Sequence, residues 1–117
     1  AIPLFCCAAE HAKDPLETVK KNVSQKKAVL VDVREEGEWE SGHIDGAQSL
    51  PLSGLEDADA KTLSKRLPKN KIIYIHCLSG GRALAAAEIL QPQGFDIRPL
   101  KPGYHALLKA GFKRAEK

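Results

Sequence analysis

The residues best suited to covalent chemistry in this 117-residue chain stand in a row: Cys77-Leu78-Ser79-Gly80-Gly81-Arg82. A cysteine thiolate is a strong nucleophile, and the residues that follow Cys77 are of the kind that stabilise one. Gly80 and Gly81 let a loop curl tightly enough to turn its backbone N–H groups inward. A helix opening at Arg82 would set the partial positive charge of its start beside the sulfur. Arg82 adds a full charge, on a planar fork of donors suited to an oxyanion. A lone cysteine at a strand end is ordinarily an inert packing residue. The glycine pair and the arginine at this spacing point instead to a nucleophile.

Other candidates are weaker. His76 precedes the cysteine on a strand, where alternation turns its side chain to the opposite face; it reads as a packed or hydrogen-bonded histidine rather than a general base. Asp32 and Arg34 end a neighbouring strand and should open toward the same crevice, with Arg34 pairing Glu38 to hold the next turn. His43, between Gly42 and Ile44, reads as a turn-fixing residue. No Cys-x-x-Cys or His-x-x-x-His pair is present and the four histidines are scattered, so no metal site is expected. No phosphate-binding glycine motif occurs either, and no organic cofactor is implied. With 18 basic and 15 acidic residues the net charge is +3, too balanced to argue for nucleic acid. No apolar run approaches the roughly 18 residues of a membrane span.

The elements that must position these residues follow from periodicity. Asp14-Pro15 reads as a helix start, with Asp14 capping and an amphipathic helix over 15–24. Strands are expected over 28–33, 47–50, 71–76 and 95–97. Helices are expected over 35–40, 55–67, 82–90 and 104–110. At 43% apolar and 28% charged, the composition is that of an ordinary globular domain. Strands alternating with helices predict a three-layer α/β domain, with a central, mainly parallel sheet of about five strands flanked by helices. In such sheets sites lie beyond the carboxyl ends of the strands, where Cys77 falls.

Three ordered motifs resemble the rhodanese-like sulfurtransferase family. Cys77-Leu78-Ser79-Gly80-Gly81-Arg82 is similar to that family's Cys-x-x-Gly-x-Arg loop. Upstream, Asp32-Val33-Arg34-Glu35, Glu38-Trp39, Gly42-His43-Ile44-Asp45-Gly46-Ala47 and Leu50-Pro51 resemble its first motif. Leu100-Lys101-Pro102-Gly103-Tyr104 through Ala110-Gly111-Phe112 resembles its closing motif, with Pro102 at the usual first glycine and Leu107 at the usual tryptophan. The resemblance spans about residues 14–112. It implies that Cys77 carries sulfur as a persulfide, that Arg82, Leu78, Ser79, Gly80 and Gly81 bind or select the donor, and that Asp32, Arg34 and His43 form pocket wall or support. The implied partners are a small anionic donor such as thiosulfate and an acceptor: cyanide, a thiol such as glutathione, or a thioredoxin-like protein.

Two other readings stand beside it. A rhodanese-like domain can serve as a binding or regulatory module without catalysis. Cysteine-dependent phosphatases place five residues between cysteine and arginine to wrap a phosphate; here four intervene, and Ala83 stands where that arginine would be. The shorter loop suits a single sulfur better. Residues 1–13 read as an N-terminal extension, a signal-peptide remnant or a linker, with the domain over 14–117. Compartment is left open between cytoplasm and periplasm or exterior. Cys6 and Cys7, in that extension, are expected to be dispensable.

Overall fold

Unbroken aliphatic runs over Ala28–Asp32 (β1) and Ile72–His76 (β3) make strands that must be covered on both faces. In the computed structural model, which describes residues 9–116, they form the central pair of a sheet of order β2-β1-β3-β4. The outer strands are β2 (Gln48–Ser49) and β4 (Asp96–Pro99). All pairings are parallel, and the register sets Asp32 opposite His76 at the carboxyl end. The sheet therefore has four strands among the described residues, not about five. On the outer side of β4, among the described residues, one backbone bond runs from the Ala12 N–H to the Pro99 carbonyl at 2.7 Å.

Alternation along the strands feeds two cores. On one face Val31, Ile73, Ile75 and Ile97 meet α3 (Leu52–Leu55), α4 (Ala60–Arg66) and α5 (Gly81–Leu90). On the other, Leu30 and Tyr74 meet α1 (Leu16–Ser24) and α6 (Tyr104–Lys109). The short α2 (Glu36–Ser41) follows β1. Three fully buried alanines, Ala83, Ala86 and Ala87, let α5 lie close on the sheet. The expected three layers are present.

Three local expectations are corrected. The helix expected over 55–67 is two, α3 and α4, because Asp59 turns out of helical geometry and accepts the Thr62 N–H at 2.8 Å, capping a new start. Asp14 caps nothing: Pro15 stands at the helix boundary, and the Asp14 carboxylate accepts from the Tyr74 hydroxyl at 2.7 Å and from Arg98 at 3.1 Å. The last strand runs two residues further than expected, to Pro99.

Candidate active site

β3 ends at His76, α5 begins at Gly81, and the chain between them doubles back within Cys77–Gly80. Such a reversal needs a left-handed residue, and Gly80 supplies it at φ 96°. The result aims the Gly80 N–H at the Cys77 sulfur, 2.9 Å away. Cys77 is only 1% exposed, while Leu78 beside it is 43% exposed and is the large apolar side chain of the loop mouth.

A second close approach fixes the loop from behind. The Tyr104 N–H, at the start of α6, donates to the Cys77 carbonyl at 2.9 Å. A Cβ on Gly103 would overlap the Leu78 carbonyl oxygen, so this backbone contact requires glycine. The Pro102-Gly103-Tyr104 turn thus buttresses the cysteine loop. Leu107, at the position noted for tryptophan, is fully buried in the same helix.

Arg82 does not stand free. Its Nη1 and Nη2 donate to the two Glu38 oxygens at 2.6 and 3.0 Å. Glu38 Oε1 also accepts the Glu35 N–H at 3.0 Å, closing the capping box of α2. The Arg82 guanidinium, helped by the Glu35 N–H, holds the Glu38 carboxyl down at about 2, against the opposing effect of burial. The same pair raises the Arg82 pKa above its ordinary value.

The expected Arg34–Glu38 pair is replaced by a local one, because β1 ends with Asp32 and Arg34 already side by side. Asp32, fully buried, accepts the Arg34 backbone N–H at 2.9 Å and the guanidinium at 2.9–3.1 Å. Arg34 Nη2 also donates to the Gly42 carbonyl at 2.7 Å, and the guanidinium stacks 4.1 Å from the Tyr104 ring centre. Arg34 therefore ties β1, the end of α2 and the start of α6 together.

His76 is fully buried. Its Nδ1–H donates to the Cys77 carbonyl at 3.3 Å, and its Nε2 has no hydrogen-bond partner among the described residues, with Asp32 Oδ2 at 3.7 Å. Burial pushes its pKa below the ordinary value, against the pull of Asp32. His43 stacks on Trp39 at 3.7 Å between ring centres and donates from Nδ1 to the Trp39 carbonyl at 3.1 Å.

A cleft of about 430 Å³ meets the loop at Leu78, with Tyr104, His105 and Leu108 on one side and Arg34, Glu38 and Arg114 among the charged lining. Of the residues expected at the wall, Arg34 lines this cleft, while Asp32 and His43 do not. Glu38 as the partner of Arg82, Tyr104 as the donor to Cys77 and His11, which touches Gly80, were not singled out from sequence for these contacts. The first joins residues 44 apart and left no local signal; the closing motif was the one available signal for the second. Cys6 and Cys7 lie outside the described residues. Among the described residues no helix is long and apolar enough to cross a membrane.

Comparison with known proteins agrees with this architecture. The family model described as "Rhodanese-like domain" matches residues 15–110. The "Uncharacterized protein YqhL" of Bacillus subtilis (strain 168) is 39% identical over 80 residues, 68% of this chain and 60% of that protein. The "Probable adenylyltransferase/sulfurtransferase MoeZ" of Mycobacterium tuberculosis is 33% identical over 72 residues, 62% of this chain and 18% of that protein. The chain thus spans less than two-thirds of the length of either relative. A crystal structure of a rhodanese-related protein from Thermoplasma volcanium superposes with a TM-score of 0.75 at 24% identity, covering 92% of this chain and 100% of that one; it shares the fold.

Proposed function

This chain belongs to the rhodanese-like domain family, and on that premise we propose that it is a sulfurtransferase working through a persulfide on Cys77. The observation that carries the reading is the Gly80 N–H donated to the Cys77 sulfur at 2.9 Å, in a loop that runs straight into α5. The contact fixes the Cys77 sulfur at the start of α5, where backbone amides would meet a transferred sulfur atom.

The reaction has two halves. The Cys77 thiolate attacks the outer sulfur of thiosulfate or a related donor. A new S–S bond forms, the donor's S–S bond breaks, and sulfite leaves with the bonding pair. An acceptor then attacks the outer sulfur of the persulfide, and Cys77 departs as thiolate. Cyanide would leave as thiocyanate; a thiol such as glutathione, or the thiol of a thioredoxin-like protein, would leave as a persulfide. Gly80 and Gly81 supply amides, Leu78 and Ser79 stand at the mouth to select the donor, and Arg82 meets an anionic donor through the N–H groups that Glu38 leaves free. Asp32, Arg34 and His43 act as support.

Steady-state kinetics with thiosulfate and cyanide test the scheme. Parallel double-reciprocal lines, abolished by Cys77→Ser, are expected. Intersecting lines, or activity that survives Cys77→Ser, overturn it. Binding without turnover would leave the chain a regulatory module, and release of phosphate from an aryl phosphate would make it a phosphatase.

A further inference from the structure

Gly80, whose amide faces the Cys77 sulfur, is also gripped from the other side. His11 Nε2 lies 3.0 Å from the Gly80 carbonyl oxygen. A carbonyl only accepts, so Nε2 carries the proton. The space around Gly80 is filled by this contact: a Cβ there would stand 3.1 Å from His11 Nε2 and 2.9 Å from the Lys101 carbonyl.

His11 is held in place on both sides. Ala9 packs against the core that contains Cys77 and Ala83, whereas Ala12 packs against the opposite core. The Ala12 N–H is fixed to Pro99 at 2.7 Å, and Asp14 is fixed to Tyr74 at 2.7 Å. Residues 9–14 therefore form a strap that crosses from one face of the sheet to the other past the cysteine loop. The strap lies before residue 15, where the family match begins.

We propose that His11 is a positioning residue of the cysteine loop. In a planar trans peptide the carbonyl and the N–H point in opposite directions. By holding the Gly80 carbonyl, shared at longer range with the Leu84 N–H at 3.3 Å, His11 sets the direction of the Gly81 N–H. That amide is then free to meet the outer sulfur of a Cys77 persulfide, and the loop is spared rearrangement when sulfur arrives. The inference rests on the sulfurtransferase reading for the sulfur it serves, but the loop contact itself does not depend on that reading.

The test compares wild type, His11→Ala and His11→Gln as full chains; glutamine keeps an N–H donor. Three readouts are taken: the rate of persulfide formation from thiosulfate, the rate of Cys77 alkylation by iodoacetamide resolved by peptide mass spectrometry, and the melting temperature. One lost neutral hydrogen bond corresponds to about two- to tenfold in rate. His11→Ala is expected to slow both reactions by that factor while its melting temperature stays well above the assay temperature, and His11→Gln to recover most of the loss. Wild-type rates in His11→Ala, equal losses in both variants, or a His11→Ala protein already unfolding at the assay temperature each overturn the proposal. Alkylation reads the His11 effect even if wild type takes up no sulfur, an outcome that would overturn the sulfurtransferase reading and not this one.

Discussion

Arg82 and Glu38, 44 residues apart in sequence, close a two-pronged ion pair at 2.6 and 3.0 Å. The arginine next to the cysteine loop thus carries a charge already balanced by Glu38 in the first turn of α2. The pair locks the first turn of α5 to the segment after β1, and so links the loop that holds Cys77 to the one that holds Asp32 and Arg34. Both side chains are 32% exposed, so the pair sits at the rim, where water weakens its contribution to stability.

The pair yields a kinetic prediction. Glu38→Gln keeps an acceptor for the Glu35 N–H but frees the Arg82 charge. The KM for thiosulfate should fall by about two- to fivefold, the size of a charge contact exposed to water. Arg82→Ala should raise it, with a smaller effect on an uncharged persulfide donor. Steady-state kinetics of both variants with both donors check this. Equal losses with the two donors would make Arg82 a loop-holding residue only.

His76 predicts an acid-side loss of stability. Its native pKa is lowered from the ordinary 6.5 by burial, so the unfolded chain takes up a proton that the native state refuses. Below about pH 6.5 the unfolded state binds more protons and native stability falls, by up to about 1.4 kcal/mol per pH unit for one such group. Urea unfolding between pH 7 and pH 5.5 should show this slope in wild type and a flatter one in His76→Gln. Identical slopes would show that His76 titrates alike in both states.

The contact of Gly103 with the Leu78 carbonyl leads to a third expectation. Gly103→Ala forces backbone against backbone, and overpacking of this kind costs about 1–3 kcal/mol. Sulfur transfer should fall with stability, because the displaced atoms belong to the peptide after Cys77. Gly54→Ala is the control: nothing lies within 4 Å of its added Cβ in α3, so it should lower neither. Unfolding curves and turnover for the two variants decide the matter.

Much of this geometry was legible in the sequence because it is local. The aliphatic runs of β1 and β3, the alanine-rich α5 and the Gly80 reversal each follow from a few neighbouring residues. What could not be read is long-range pairing of polar groups. Asp14 looks like a helix cap in sequence, but Tyr74 and Arg98 draw its carboxylate to the edge of the sheet. Arg34 could reach Glu38 by spacing, yet Asp32 two residues back offers a buried carboxylate and Arg82 takes Glu38 instead. The break between α3 and α4 turned on whether Asp59 faced solvent along a helix or bent back to cap one. His11 falls in what reads as a terminal extension, and nothing near it in sequence marks the loop it touches.

Intact mass after incubation with thiosulfate reads the persulfide itself. Wild type is expected to gain one sulfur atom, to lose it on addition of cyanide, and to keep the gain when Cys6 and Cys7 are both replaced by serine; Cys77→Ser is expected to gain none. A folded wild-type protein that stays at its starting mass, or a Cys77→Ser protein that takes up sulfur, would contradict sulfur transfer through Cys77.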